Sequence, residues 1–209
     1  CAIQQIAAPT FAEAQRAAYV EQRFMEEGLS QVSQDRLGNV YGRIAGKTEA
    51  PPLIVTAHMD TVFPAGTDLT LERLADKIAG PGIGDNSLGV AALLGLAWGL
   101  KELPRDVWLV ANVCEEGLGN LHGIKAVVDR FGREVLAYIV VEGMSLGQVY
   151  HAGLGVQRYR ISVTTPGGHA WVDYGKPSAI HELAELVVAL THLRLPEQPR
   201  TTLNIGVVQ

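Results

Sequence analysis

The sequence has only two cysteines, Cys1 and Cys114, in 209 residues. That excludes a disulfide framework as the source of stability. It also favours a reducing compartment, so the expected location is cytoplasmic. No apolar run is long enough to span a bilayer; the longest, Leu88 to Leu100, is interrupted by glycines. No run of basic residues occurs, and net charge is −5 with a pI near 5.7, which argues against nucleic acid and membrane surfaces as partners. Internal repeats, low-complexity tracts and a charged leader with an apolar core are likewise missing. The chain begins at Cys1 rather than Met and ends inside a strand-like run, so both ends read as cuts in a longer protein. What is present is globular: 47% hydrophobic residues and a mean hydropathy of +0.13, enough for a large core in one domain or two small ones.

Three apolar runs end on acidic or His-acidic clusters or lead to one, and a glycine-rich loop brings a further aspartate. Leu53-Ile-Val-Thr-Ala-His58 is followed by Met59-Asp60. Val107 to Val113 leads into Cys114-Glu115-Glu116-Gly117. Ala137-Tyr-Ile-Val-Val141 ends on Glu142. A glycine-rich loop, Gly80-Pro-Gly-Ile-Gly-Asp85-Asn86, opens the apolar helix expected from about Ser87 to Lys101. In an open α/β sheet, ligands bind beyond the carboxyl ends of the strands. One imidazole and several carboxylates delivered to that edge have the composition of a metal site.

The remaining pattern supplies the frame. Thr10-Phe-Ala-Glu13 is spaced as a capping box before a helix that runs to Gly28. Val32 to Asp35 and Asn39 to Ile44 read as a hairpin, and Asn120 to Arg130 as a helix. Strands alternating with helices predict an α/β fold with a mostly parallel sheet and helices on both faces. The helix after Ser87 is apolar on most faces and is expected to lie inside, against the sheet. After Gly153 the period changes: Gln157 to Thr165 alternates as an antiparallel-type strand, Pro177 to Leu193 reads as a helix, and Thr202 to Val208 as a strand. Residues 1–153 are thus expected to form a metal-binding domain, and residues 154–209 a second, α+β domain that is incomplete.

Taken singly, each cluster leaves two readings. His58-x-Asp60 places both side chains on one side of an extended strand. His58 is a ligand whose far nitrogen is held by Asp60, or it is a strand-end histidine beside a turn aspartate. Glu115-Glu116 repel each other once buried, which calls for a cation, or they form a solvated acidic loop. Asp85 is a ligand or a helix cap. Glu142 would be costly if buried and unpaired. Gly82-x-Gly84 does not complete a dinucleotide fingerprint, and no strand leads directly into it. Cys114 has no readable His and Asn/Asp partners and is better explained as a small buried residue than as a nucleophile. His122, His181 and His192 read as helix-surface residues, while His151, close after Glu142, could face the cleft.

Together, in order, these segments resemble the dizinc metallopeptidases that include carboxypeptidase G, peptidase T, aminoacylase and succinyl-diaminopimelate desuccinylase. The resemblance rests on Ala57-His-Met-Asp-Thr-Val62, on Gly80-Pro-Gly-Ile-Gly-Asp-Asn86 with Gly89, on Cys114-Glu-Glu-Gly117, on Glu142 and on Gly167-Gly-His-Ala170. It implies a zinc-exopeptidase-like catalytic domain and a lid that also forms a homodimer. It implies that Asp85 bridges two Zn ions, with Co or Mn able to take their place. His58 and Glu142 would complete one site; Glu116 and a histidine beyond this chain would complete the other. Glu115 would be the general base, Asp60 would orient His58, and His169 would stabilise the oxyanion in a partner subunit's site. A turn histidine on a lid surface is the alternative for His169.

The implied activity is hydrolysis of an amide bond in a small peptide or N-acyl amino acid. Aminopeptidase, dipeptidase, carboxypeptidase and deacylase chemistry would all use the same centre. The alternative is a non-catalytic relative that keeps the fold as a binding or regulatory module. Because one ligand is missing, the 209-residue piece alone is expected to be inactive and to hold at most one zinc tightly.

Overall fold

The computed structural model describes residues 1–143 and 147–209. They divide into two compact units, Cys1–Val149 and Tyr150–Gln209.

The first unit is built on a five-stranded sheet. Its strands are β1 (Ser30–Gln34), β2 (Val40–Ile44), β3 (Leu53–His58), β6 (Val107–Asn112) and β7 (Ala137–Val140), in the spatial order β1-β2-β6-β3-β7. β3 pairs in parallel with both β6 and β7, while β2 runs antiparallel to β1 and β6. Only β2 opposes the common direction, so the sheet is mostly parallel. A separate two-stranded ribbon joins β4 (Glu72–Arg73) to β5 (Ile78–Ala79). The sequence pattern reads that stretch as irregular, because two-residue strands carry no measurable period.

β6 is central, and all six of its residues are buried. Its side chains alternate between two cores, as a pleated strand covered on both faces must. Val107, Leu109 and Ala111 join Val55 and Ala57 of β3 in one core. Helices α1 (Ala14–Glu26) and α2 (Gly89–Gly99) close that core with Ala17, Val20 and Phe24 and with Val90, Leu93 and Ala97. Trp108 and Val110 face the other core, with Ile54 and Tyr41, under Val127 of α3 (His122–Phe131). There the Arg130 guanidinium lies 4.1 Å from the Tyr41 ring centroid. Helices therefore cover both faces, as the alternation of strands and helices predicts.

Two local expectations are corrected. α2 is buried on one face only: it leaves Leu88, just before it, and Trp98 exposed, because a single sheet offers it a single partner surface. The Thr10-x-x-Glu13 pattern does not cap α1. The helix begins at Ala14 with Glu13 at its cap position and no side-chain cap bond. Both side chains are engaged elsewhere, as described below.

In the second unit the expected helix is present as α4 (Ala179–Thr191). The expected strands at Gln157 to Thr165 and Thr202 to Val208 are not formed. Alternation prepares a segment for a sheet, but a strand exists only where a neighbour supplies its ladder bonds. Among the described residues, no helix is long and apolar enough to cross a membrane.

Candidate metal centre

Three adjacent parallel strands end together. β3 is the middle one, so His58 at its end lies between the loops that leave β6 and β7. The β3–β6 register pairs His58 with Asn112, and the Met59 N–H donates to the Asn112 carbonyl at 2.7 Å. Beyond β6 the chain turns through Cys114, at φ 53, into Glu115 and Glu116. Beyond β7 the Val141 N–H donates to the Thr56 carbonyl at 2.7 Å, and Glu142 follows.

Asp85 arrives from the glycine loop, in a kinked helical segment, Ile83–Leu88, that departs from helical angles at Asp85 and Asn86. The buried Asn86 ties this loop down. Its amide donates to the Val141 carbonyl at 2.9 Å, and its oxygen accepts from the Gly89 N–H at 3.0 Å. Backbone approaches backbone here: a Cβ on Gly143 would collide with the Gly84 carbonyl. Glycine at position 143 lets the loops that carry Asp85 and Glu142 come together.

His58 is almost fully buried. Its Nδ1 lies 3.0 Å from the Asp60 backbone carbonyl and 3.5 Å from the Asp60 carboxylate, both acceptors. Nδ1 therefore carries a proton, and Nε2, which faces carboxylates, carries one too until a bound metal displaces it. Nε2 is 2.9 Å from Asp85 Oδ1 and 3.6 Å from Glu142 Oε1. Two groups result that could hold a metal ion: His58, Asp85 and Glu142, and His58, Glu115 and Glu116, with the donor atoms in each within 4.8 Å of one another.

Asp60 is wholly buried and carries more hydrogen bonds than the sequence suggests. Its carboxylate accepts from the Glu115 N–H at 2.9 Å, the Glu116 N–H at 3.0 Å and the Thr10 hydroxyl at 3.0 Å. Burial opposes its ionisation, but His58 and the two N–H groups hold it below the usual carboxylate range. Asp60 thus joins the His58 loop to the Glu115-Glu116 loop.

The electrostatics fit a cation. Burial, then the charges of Asp85 and Glu115, push the Glu116 carboxyl up to about 7. Burial also raises Glu115. Burial would lower His58, but Asp60 and Glu142 outweigh it and push the imidazole up to about 11. Five carboxylates around one buried imidazole lack enough positive charge, and a divalent ion would supply it. By contrast, burial and Glu13 push the Cys114 thiol up to about 11, in keeping with an inert buried cysteine rather than a nucleophile.

The residues singled out in the sequence fall into two sets. His58, Asp60, Asp85, Glu115, Glu116 and Glu142 converge on one edge of the first unit. His169 lies in the second unit, exposed, its Nδ1 accepting from the N–H groups of Trp171 and Val172 at 3.3 and 3.4 Å. His122, His151, His181 and His192 are exposed. The residues that sequence patterning missed are Thr10, Glu13 and Arg16. The signal was present in Thr10-x-x-Glu13, which has the spacing of a helix cap.

The sequence profile of peptidase family M28 matches residues 39–150, a span that takes in every member of the converging set. Among solved structures, a tripeptidase from Staphylococcus aureus superposes with a TM-score of 0.55 at 24% identity, covering 69% of this chain and 42% of that one. Aminopeptidase PepT from Bacillus cereus gives 0.52 at 20% identity, covering 68% and 41%. Human carnosine dipeptidase 1 gives 0.56 at 15% identity, covering 69% and 37%. The chain thus spans about two fifths of the length of these proteins, and the likeness speaks for the fold. Among curated proteins, none matches the chain by sequence.

Proposed function

The chain belongs to peptidase family M28, and from that membership we propose that it supplies the metal-binding half of a hydrolase that cleaves amide bonds in small peptides or N-acyl amino acids. One observation carries the reading. His58, Asp85, Glu115, Glu116 and Glu142 meet at the carboxyl edge of adjacent strands, their donor atoms in two groups that share His58.

His58, Asp85 and Glu142 would hold one zinc, and Asp85 and Glu116 would contribute to a second. A pair of such ions supplies Lewis acidity, acidifying a water and polarising a carbonyl. The protein's own groups do the rest. Asp60 keeps the His58 proton on Nδ1 and leaves Nε2 free to bind. That contact is to the Asp60 backbone carbonyl, while the Asp60 carboxylate fixes the backbone of Glu115. Glu115, beside the ligand Glu116, takes the proton of the attacking water and returns it to the leaving amine. His169 serves as an oxyanion donor: with Nδ1 accepting from two backbone N–H groups, its proton lies on Nε2, where it can be donated. Residues 154–209 belong to a lid through which two copies pair, and His169 acts in the partner's site. The names of the structural neighbours, a tripeptidase and a dipeptidase, support small peptides as substrates.

The test is zinc-dependent hydrolysis of a panel of dipeptides, tripeptides and N-acyl amino acids by the whole protein. Glu115→Gln keeps the shape and removes the base. Its rate is expected to fall roughly 10²- to 10⁴-fold with metal content retained. Wild-type turnover in this variant would remove Glu115 from the mechanism.

A further inference from the structure

Thr10, Glu13 and Arg16 are spaced by three residues and all reach into the loops that carry the metal centre. The Thr10 hydroxyl donates to Asp60 Oδ2 at 3.0 Å. Glu13 Oε1 accepts from the Cys114 N–H at 3.0 Å, immediately before Glu115. The Arg16 guanidinium donates to the Met59 carbonyl at 2.6 Å and to the Ile6 carbonyl. Glu13 and Arg16 are nearly as buried as Asp60. A buried guanidinium whose hydrogen bonds go to carbonyls is unusual, since such groups ordinarily pair with carboxylates. Burial lowers this guanidinium to about 10, and the charge of Asp60 opposes that fall.

Helix α1 forgoes its side-chain cap for these contacts, although Thr and Glu stand at capping spacing. Met59 and Asp60 follow His58 directly, and Cys114 precedes Glu115. The start of α1 therefore touches the ligand loop and the base loop from behind.

We propose that Thr10, Glu13 and Arg16 are positioning residues of the metal centre, with Thr10 acting on His58 through Asp60. Without the Thr10 hydroxyl, one acceptor site of the buried Asp60 carboxylate is unsatisfied, and Asp60 can turn away from His58 to find a replacement donor. The imidazole then keeps its 3.0 Å contact to the Asp60 backbone carbonyl but loses the carboxylate, 3.5 Å away, that raises its basicity and helps orient it. This rests on the metal-centre reading given above.

The test is zinc binding by titration calorimetry on the metal-free chain, together with the unfolding temperature of each metal-free variant. Thr10→Val keeps the shape and removes the donor, and is expected to weaken zinc about tenfold, within the roughly 10- to 100-fold range for such supporting groups. Thr10→Ser restores the hydroxyl and is expected to restore most of the affinity. Should Thr10→Val fail to fold, Thr10→Ala carries the same comparison. Unchanged zinc affinity alongside a lowered unfolding temperature would show that Thr10 serves only the fold and would overturn the proposal. So would a Ser variant as weak as the Val variant. A wild-type chain that binds no zinc would instead overturn the metal-centre reading itself.

Discussion

In the first unit β6 buries all six of its residues; in the second, α4 buries none of its thirteen. Both segments are apolar enough to form a core. The difference is what meets them. β6 lies between β2 and β3, with helices above and below, so every apolar side chain it carries finds a partner. α4 carries Ile180, Leu183, Leu186, Val187 and Leu190, but the flanking segments that alternate like strands form no sheet beneath it. Apolar pattern is thus a necessary condition for a core and not a sufficient one. The converging candidate ligands are in the unit where the condition is met. Rigid strand ends can hold four carboxylates against their mutual repulsion, and this is what a preorganised ion site requires.

The largest expected effect separates the two units by chemistry. Glu116→Ala should lose metal and activity together. His169→Ala should keep its metal and lose roughly 10²- to 10³-fold in rate, the usual cost of an oxyanion donor. Mixing His169→Ala with Glu115→Gln should restore activity through hybrid dimers. Failure to complement, with subunit exchange demonstrated, would confine His169 to its own subunit or remove it from the reaction.

A second contrast is energetic. Leu109 is fully buried, and Leu109→Ala should destabilise by about 2–5 kcal/mol. Ile180 is 77% exposed, and Ile180→Ala should change stability by less than about 0.5 kcal/mol. Denaturant melts of the two variants check this. Equal losses would mean that α4 is covered in solution, as a lid interface would require, and would sharpen the dimer proposal.

The smallest effect is set by acid. Arg43 grips Asp106 with two bonds, 2.7 and 2.9 Å, and the Gly46 N–H adds a third at 2.8 Å. Burial opposes ionisation, but these partners hold Asp106 below its ordinary range. Its folded pKa is therefore lower than its unfolded one, near 3.9. The pair's contribution is complete above that unfolded value and is lost as pH falls through the folded value. Asp106→Asn should cost roughly 1 kcal/mol or less at neutral pH and reduce the acid sensitivity of the melt. An unchanged acid limb would assign that sensitivity to other carboxylates.

Much of the first unit is legible in its sequence because its signals are local. Leu53 to Ala57 and Val107 to Val113 are buried runs of strand length, and the structure places β3 and β6 there with ends shifted by one residue. The turn between β1 and β2 is equally plain: Asp35 Oδ1 accepts from the N–H groups of Leu37, Gly38 and Asn39. Convergence of His58, Glu115, Glu116 and Glu142 follows from strand ends in a parallel sheet, and Asp85 joins them from the glycine loop. What supports them is not local. Thr10 and Asp60 are fifty positions apart, and Glu13 and Cys114 more than a hundred. Spacing within one segment cannot show that a cap-like pair has a stronger claim on its side chains elsewhere. Nor can alternation at Gln157 to Thr165 show whether a ladder partner exists.

The central claim is that the first unit's strand ends form a metal site, with His58, Asp85 and Glu142 as a complete ligand set. Zinc titrated into the metal-free 209-residue chain tests it most directly. The expected result is one tightly bound zinc, abolished by His58→Ala and unaffected by His169→Ala. Tight stoichiometric binding that survives His58→Ala would contradict the assignment.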